Sequence, residues 1–261
     1  MSEGLQYRLM HPPTFGWMEI QLDDTLLAHM WNCINTAGDA INAKGSLIGQ
    51  IDKSYYISDI DHFLWNNLLV HCVAVYDKTW GNPYNLPIKS SSVPSYENPR
   101  VTVNGTDKDY ILYLEQMWVN YQNKHDYNPV HNHNGVYSFV IWMNIPTEYK
   151  DQAKLANAVD ATTSWNSTFA MHYTDSLGRL RTQMYEMGKV YEGRMLFFPS
   201  AMHHEVYPYY ECDEQRITVS GNIWLKDKRD MTEEEKAGKP LGYKITSDSQ
   251  DETHTQGSNY S

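Results

Sequence analysis

HNHNGVYSFVIWMNIP, running from His131 to Pro146, sets two histidines ahead of a long apolar run, Val136 to Ile145. Asn132, Asn134 and Gly135 are turn-compatible, so the run reads as a β-strand that the histidines open. In an extended backbone, residues two apart project to the same side, and His131 and His133 can therefore reach one cation together. Their place just before the strand puts them at the mouth of a sheet structure rather than in the middle of it.

On both sides of this stretch the same strand signal recurs. VTV at Val101 is followed by Asn104-Gly105, a hairpin signal, and then by the run Tyr110 to Tyr121. Thr168 to Thr174 and Leu180 to Tyr185 flank the turn Asp175-Ser176-Leu177-Gly178, and Gly193 to Phe198 and Ile217 to Leu225 complete the series. Short strands separated by turns indicate a sandwich or barrel. Two helices precede them. Asp23 or Asp24 caps the first, whose apolar stripe is Leu27, Met30, Trp31 and Ile34. The second starts near Ser58, with Ser58 and Asp61 as its capping pattern and Ile60, Phe63, Leu64, Leu68, Cys72 and Val75 at helical spacing. Residues 81–100 collect Gly, Pro, Ser and Asn and read as a surface loop. The organisation expected is one domain over 1–226, with its β core at about 101–226, and a polar tail over 227–261. Apart from a short helical turn at Met231 to Lys236, the tail's composition cannot bury enough apolar surface to fold alone, so a loose tail is expected unless a second copy or a larger assembly orders it.

Composition removes several function classes. The chain has 261 residues, 41% hydrophobic and 13% aromatic with 20 Tyr, which suits a β-rich core. A net charge of −11 argues against nucleic acid as a partner, because phosphate binding needs clustered Lys and Arg. Cys33, Cys72 and Cys212 are odd in number, far apart and in no CxxC pattern, which fits a reducing cytoplasm. The start MSEGLQYRLMHPP has no signal-peptide pattern, and no apolar run is long enough to span a bilayer, so neither export nor a membrane is expected.

A second segment, GRMLFFPSAMHHEVYP from Gly193 to Pro208, supplies a third imidazole. Strand alternation lets only one of His203 and His204 face the first pair. His29, His62, His71 and His172 have no such pattern and read as ordinary structural residues, His71 in the core. Arg216 comes twelve residues after His204 and opens the strand RITVSGNIWL, with Thr218 on the same face. A guanidinium aimed into a barrel needs a partner, and its planar fork suits a carboxylate. That carboxylate could belong to a dicarboxylate ligand or to Glu205, Glu211 or Asp213.

In order and spacing, HNHNGVYSFVIWMNIP, GRMLFFPSAMHHEVYP and RITVSGNIWL resemble the 2-oxoglutarate and Fe(II)-dependent oxygenases, especially members encoded by phages of marine bacteria and the prolyl-hydroxylase-like ones. The likeness spans about Trp118 to Leu225. It implies a mainly β, double-stranded β-helix (jelly-roll) with the N-terminal helices packed outside. It also implies iron held by His131, His133 and His204, where the family's FPS-then-His spacing selects His204. Arg216 and Thr218 would hold the far carboxylate of 2-oxoglutarate, and Tyr121 would hydrogen-bond the same cosubstrate. The implied reaction consumes O2 and 2-oxoglutarate, releases succinate and CO2, and hydroxylates a protein side chain or small molecule. One departure stands out: the middle ligand is His133 where a carboxylate is commoner, and Asp126 is the nearest carboxylate that could complete the shell.

Two other readings share the pattern. Gly193, Pro199 and His204 also fit a cupin-like metal protein, although the Glu expected soon after the first histidine pair is missing between Asn134 and Ile145. A jelly-roll virion component with a vestigial metal site is the third. The location expected is cytoplasmic, a host cytoplasm for a phage protein, or the virion for a structural one.

Overall fold

The computed structural model describes residues 14–37, 42–46, 48–81, 83, 88–89, 100–102 and 109–227. The Asn104-Gly105 hairpin, most of the 81–100 loop and the tail from 228 on lie outside them. In chain order the first elements are β1 (Met18–Gln21), α1 (Asp24–Asn35), β2 (Lys53–Tyr56) and α2 (Val70–Trp80). Next come β3 (Ile88–Lys89), β4 (Arg100–Thr102), β5 (Asp109–Gln122), β6 (Asn128–His131), β7 (Tyr137–Asn144) and α3 (Tyr149–Gln152). The last are β8 (Thr168–Thr174), β9 (Leu180–Glu186), β10 (Arg194–Pro199), β11 (His203–Val206) and β12 (Arg216–Asp227).

The fold is mainly β and of the jelly-roll class. A large sheet has the order β1-β10-β7-β12-β5-β4-β3, with β2 also on β5, and a smaller one has the order β6-β11-β8-β9. Every pairing in them is antiparallel.

β7 explains why the quoted stretch lacks a polar face. All its residues from Tyr137 to Met143 are buried. Tyr137, Phe139, Ile141 and Met143 pack with α1, α2 and the segment between them on one side of the large sheet. Val140 and Trp142 face the other way, toward Phe169, Met171 and Tyr185 of the small sheet. A strand covered on both faces gains from apolar residues at every position. The one polar exception, Ser138, lies 2.8 Å from Ser200 Oγ and donates its hydroxyl to Asn222 Oδ1 at 2.8 Å.

The helices differ from the sequence reading in phase. Asp23 caps α1 by accepting from Leu26 N at 2.8 Å, but the fully buried stripe is Leu26, Met30, Cys33 and Ile34, with Leu27 and Trp31 at its margin. Before α2, the cap is Asp59 rather than the Ser58 and Asp61 pair: its carboxylate accepts from Leu64 N at 2.9 Å and Trp65 N at 2.8 Å. Residues Trp65–Leu69 then form a π-helical segment. The wider turn rotates everything after it. Leu69, Cys72, Val73 and Tyr76 become the buried face, while Val75 and His71 turn outward, so His71 is a surface residue rather than a core one.

Candidate metal centre

β6 and β11 lie side by side in the small sheet, and their register sets His131 directly opposite His204. His133 follows two residues later, past the end of β6. Its backbone N–H donates to Ser200 O at 2.8 Å, which ties the segment after β6 to the loop leading into β11. Gly135 makes the turn into β7 with φ of +107°, where a Cβ would lie 2.8 Å from the Trp224 ring and 2.9 Å from Ile223 O. Sequence spacing and sheet register thus bring three imidazoles together, with ligand atoms all within 4.8 Å of one another. His204 faces the pair, whereas His203 lies on the opposite, exposed side of β11.

The rings are prepared as ligands. His131 Nδ1 lies 2.7 Å from Pro129 O and His204 Nδ1 lies 3.1 Å from Met202 O. A carbonyl only accepts, so in both rings Nδ1 carries the proton and Nε2 keeps its lone pair. The Asn128 amide, whose nitrogen is 3.1 Å from His131 Nε2, donates to that lone pair. His133 Nε2 and His204 Nε2 stand 3.2 Å apart. With metal–nitrogen bonds of about 2.1 Å, neighbouring ligands are separated by roughly 3.0 Å at a right angle and roughly 3.4 Å at a tetrahedral one, so the pair is at chelating distance. Burial pushes all three rings toward the neutral form: His133 falls to about 3, His204 lies well below the ordinary value, and His131 is lowered, with Pro129 O acting against the shift. Neutral imidazole is the metal-binding form.

Arg216 opens β12 opposite Gln122 and is 1% exposed. Nη2 donates to Ser167 Oγ at 2.7 Å, and Nη1 makes only long contacts, 3.4 Å to Tyr207 O and 3.5 Å to Gln122 Oε1. Nε has no partner among the described residues, and the group sits 5.0 Å from the centre of the Tyr209 ring. Its pKa is lowered to about 10 by burial. None of the three carboxylates considered from sequence neutralises it: Glu205 pairs with His172 at 2.8 Å, Asp213 pairs with Lys124, and Glu211 is exposed. Among the described residues no carboxylate meets Arg216, although it shares one cleft with the three histidines, Thr218, Ser220, Asn120 and Gln122. A buried guanidinium so placed favours an anion in that cleft.

Two expectations fail on geometry. Alternation along β5 sends Trp118, Asn120 and Gln122 into the cleft, and Tyr121 therefore points to the helix side, against Tyr55. Asp126 is also outside the cluster, since its Oδ2 accepts from Asp52 N and Asn123 N at 2.9 Å and braces two loops. Sequence reasoning missed Asn128, Gln122 and Ser167. Gln122 could have been found from the β5–β12 register, but Ser167, in a positive-φ turn before β8, carries no local signal.

Similar proteins can be set beside this geometry. A Pseudomonas putida prolyl-4-hydroxylase is 14% identical with a TM-score of 0.44, covering 82% of this chain and 93% of that one. A Trichoplax adhaerens prolyl hydroxylase, solved with a hypoxia inducible factor oxygen degradation domain peptide fragment, is 13% identical with a TM-score of 0.43, covering 83% and 86%. No curated protein matches the sequence. Residues 116–222, which include His131, His133, His204, Arg216 and Thr218, match a family described as "Putative 2OG-Fe(II) oxygenase", and the match supports a 2OG-Fe(II) oxygenase.

Proposed function

We propose that this protein is a 2-oxoglutarate- and Fe(II)-dependent dioxygenase that hydroxylates a protein side chain or small molecule. One observation carries the reading: three imidazoles converge in the same cleft as a buried arginine that, among the described residues, no carboxylate meets. The donor set fits Fe(II), since His131 and His204 each have Nδ1 tied to a carbonyl, which leaves the Nε2 lone pair to turn from its Asn128 or His133 contact to a metal, and His133 Nε2 lies beside them. Fe(II), when bound, supplies activation of O2 coupled to conversion of 2-oxoglutarate into succinate and CO2.

The protein's own residues do the positioning. Arg216 receives the distal carboxylate of 2-oxoglutarate through its planar fork, and Thr218, on the same face of β12, adds a hydroxyl. Charge balance favours this cosubstrate: with three neutral ligands, a divalent ion and a guanidinium leave the cleft strongly positive, and a dianion offsets most of that. Trp142, Phe169 and Phe198 wall the same cleft and exclude water from the reacting groups. A second opening reaches His131 and His133 from the side of Ile48, Tyr56, Gln116, Trp118 and Asn222. Among the described residues its lining has no Asp, Glu, Lys or Arg, which suits an uncharged group on the substrate.

Arg216 also favours this reading over a cupin-like metal protein, because a buried guanidinium calls for an anion and 2-oxoglutarate supplies one. Aerobic incubation with Fe(II) and 2-oxoglutarate tests it: succinate should form in wild type and fall to background in His204→Ala. Wild-type protein that makes no succinate with any candidate substrate, protein or small molecule, would contradict the reading.

A further inference from the structure

Behind the large sheet, on the side away from the cleft, a second group of metal-binding side chains comes together. His29 and Cys33 are one helical turn apart on α1 and face the same way. Asp59, from the segment that leads into the second helix, closes on them, and the three ligand atoms lie within 4.8 Å of one another. His29 Nε2 is the shared atom, 2.8 Å from Asp59 Oδ1 and 3.3 Å from Cys33 Sγ. Cys33 is 1% exposed, and the side chains of His29 and Asp59 are 11% and 3% exposed.

We propose that His29, Cys33 and Asp59 form a second metal site, of the zinc type, that clamps α1 to the start of the second helix. One ring nitrogen can either donate to the carboxylate or accept from the thiol, and in each case one of its two contacts is poor. A cation at the centre makes all three donors useful. Tetrahedral Zn(II) needs roughly 3.3 Å between nitrogen and oxygen ligands and roughly 3.6 Å between nitrogen and sulfur, so the two contacts of His29, at 2.8 and 3.3 Å, would open by about half an ångström or less. The mixed nitrogen, sulfur and oxygen set suits a borderline-soft ion better than Ca(II) or Mg(II). Asp59 is already fixed by the Leu64 and Trp65 N–H groups, an outer shell that holds the ligand in place. Binding replaces the thiol proton, which leaves to solvent, with no change of oxidation state, and water takes the fourth position.

Co(II) is the probe, because a thiolate ligand gives a sulfur-to-cobalt charge-transfer band in the near ultraviolet that the all-imidazole centre cannot give. The full-length protein should show the band, Cys212→Ser should keep it, and Cys33→Ser should lose it. Zn(II) should raise the melting temperature of the His131→Ala/His204→Ala variant by several degrees, an effect that adding Cys33→Ser removes. If Cys33→Ser does not fold by circular dichroism, His29→Gln replaces it, with Co(II) affinity expected to fall at least tenfold. No band in folded protein, a band that survives Cys33→Ser, or an unchanged affinity in His29→Gln overturns the proposal and leaves a hydrogen-bonded pair beside an inert thiol.

Discussion

Replacing Arg216 with Met is expected to move stability and ligand binding in opposite directions. Without its anion the guanidinium is a fully buried cation whose one short hydrogen bond among the described residues goes to Ser167 Oγ. Its removal gives up about 1–2 kcal/mol of hydrogen bonding, and Ser167 keeps its contact with Thr147 Oγ1 at 3.0 Å. Against that stands the several kcal/mol of desolvation that a lone buried charge carries. An unbranched apolar side chain of comparable length should therefore stabilise the ligand-free protein by about 1–3 kcal/mol, or roughly 2–8 °C in Tm. Binding should show the reverse. Two charge-assisted hydrogen bonds at about 1.5–3 kcal/mol each are lost, which weakens 2-oxoglutarate by roughly two to four orders of magnitude. Differential scanning fluorimetry with and without Mn(II) and 2-oxoglutarate reads both effects at once. A variant that melts lower than wild type, yet is protected by 2-oxoglutarate to the same degree, would show that Arg216 is a structural strut and refute the reasoning.

Gly135→Ala should destabilise by more than about 2 kcal/mol, since a Cβ would meet Ile223 O and the Trp224 ring at a positive φ, and chemical denaturation measures it. His203→Ala should retain Fe(II) binding in equilibrium dialysis while His204→Ala loses it, because only the latter ring faces His131 and His133. Tyr121→Phe should leave the KM for 2-oxoglutarate within about twofold of wild type, its hydroxyl being on the helix side of β5; a large rise would return Tyr121 to the cleft. Ser138→Ala should cost about 1–3 kcal/mol by denaturant midpoint, as it leaves buried Asn222 Oδ1 without its donor.

The strands of the β core were legible because each is a run of β-branched and aromatic residues bounded by turn signals. Thr168–Thr174 agrees to the residue, and β7, β9, β10 and β12 agree to within a residue or two at either end. Short strands were not: β1, β2, β6 and β11 each have four residues, too few for alternation to stand out. That mattered for the site, since β6 and β11 are the pair that sets His131 opposite His204. His131, His133, His204 and Arg216 come to one cleft because each lies on or beside a strand of the β core. Tyr121 did not, because one step along β5 reverses the face and only the register with β12 tells which face is which. The π-helical turn at Trp65–Leu69 was hidden for a related reason: one extra residue per turn changes the phase without leaving a mark in composition.

The most direct test is an anaerobic titration of the Fe(II)-loaded protein with 2-oxoglutarate, followed by visible absorption. The expected result is a charge-transfer band that saturates in wild type, is absent in His204→Ala, and needs at least a hundredfold more 2-oxoglutarate in Arg216→Met. No band in wild type, or one that develops equally in all three proteins, would contradict an iron and 2-oxoglutarate site built from His131, His133, His204 and Arg216.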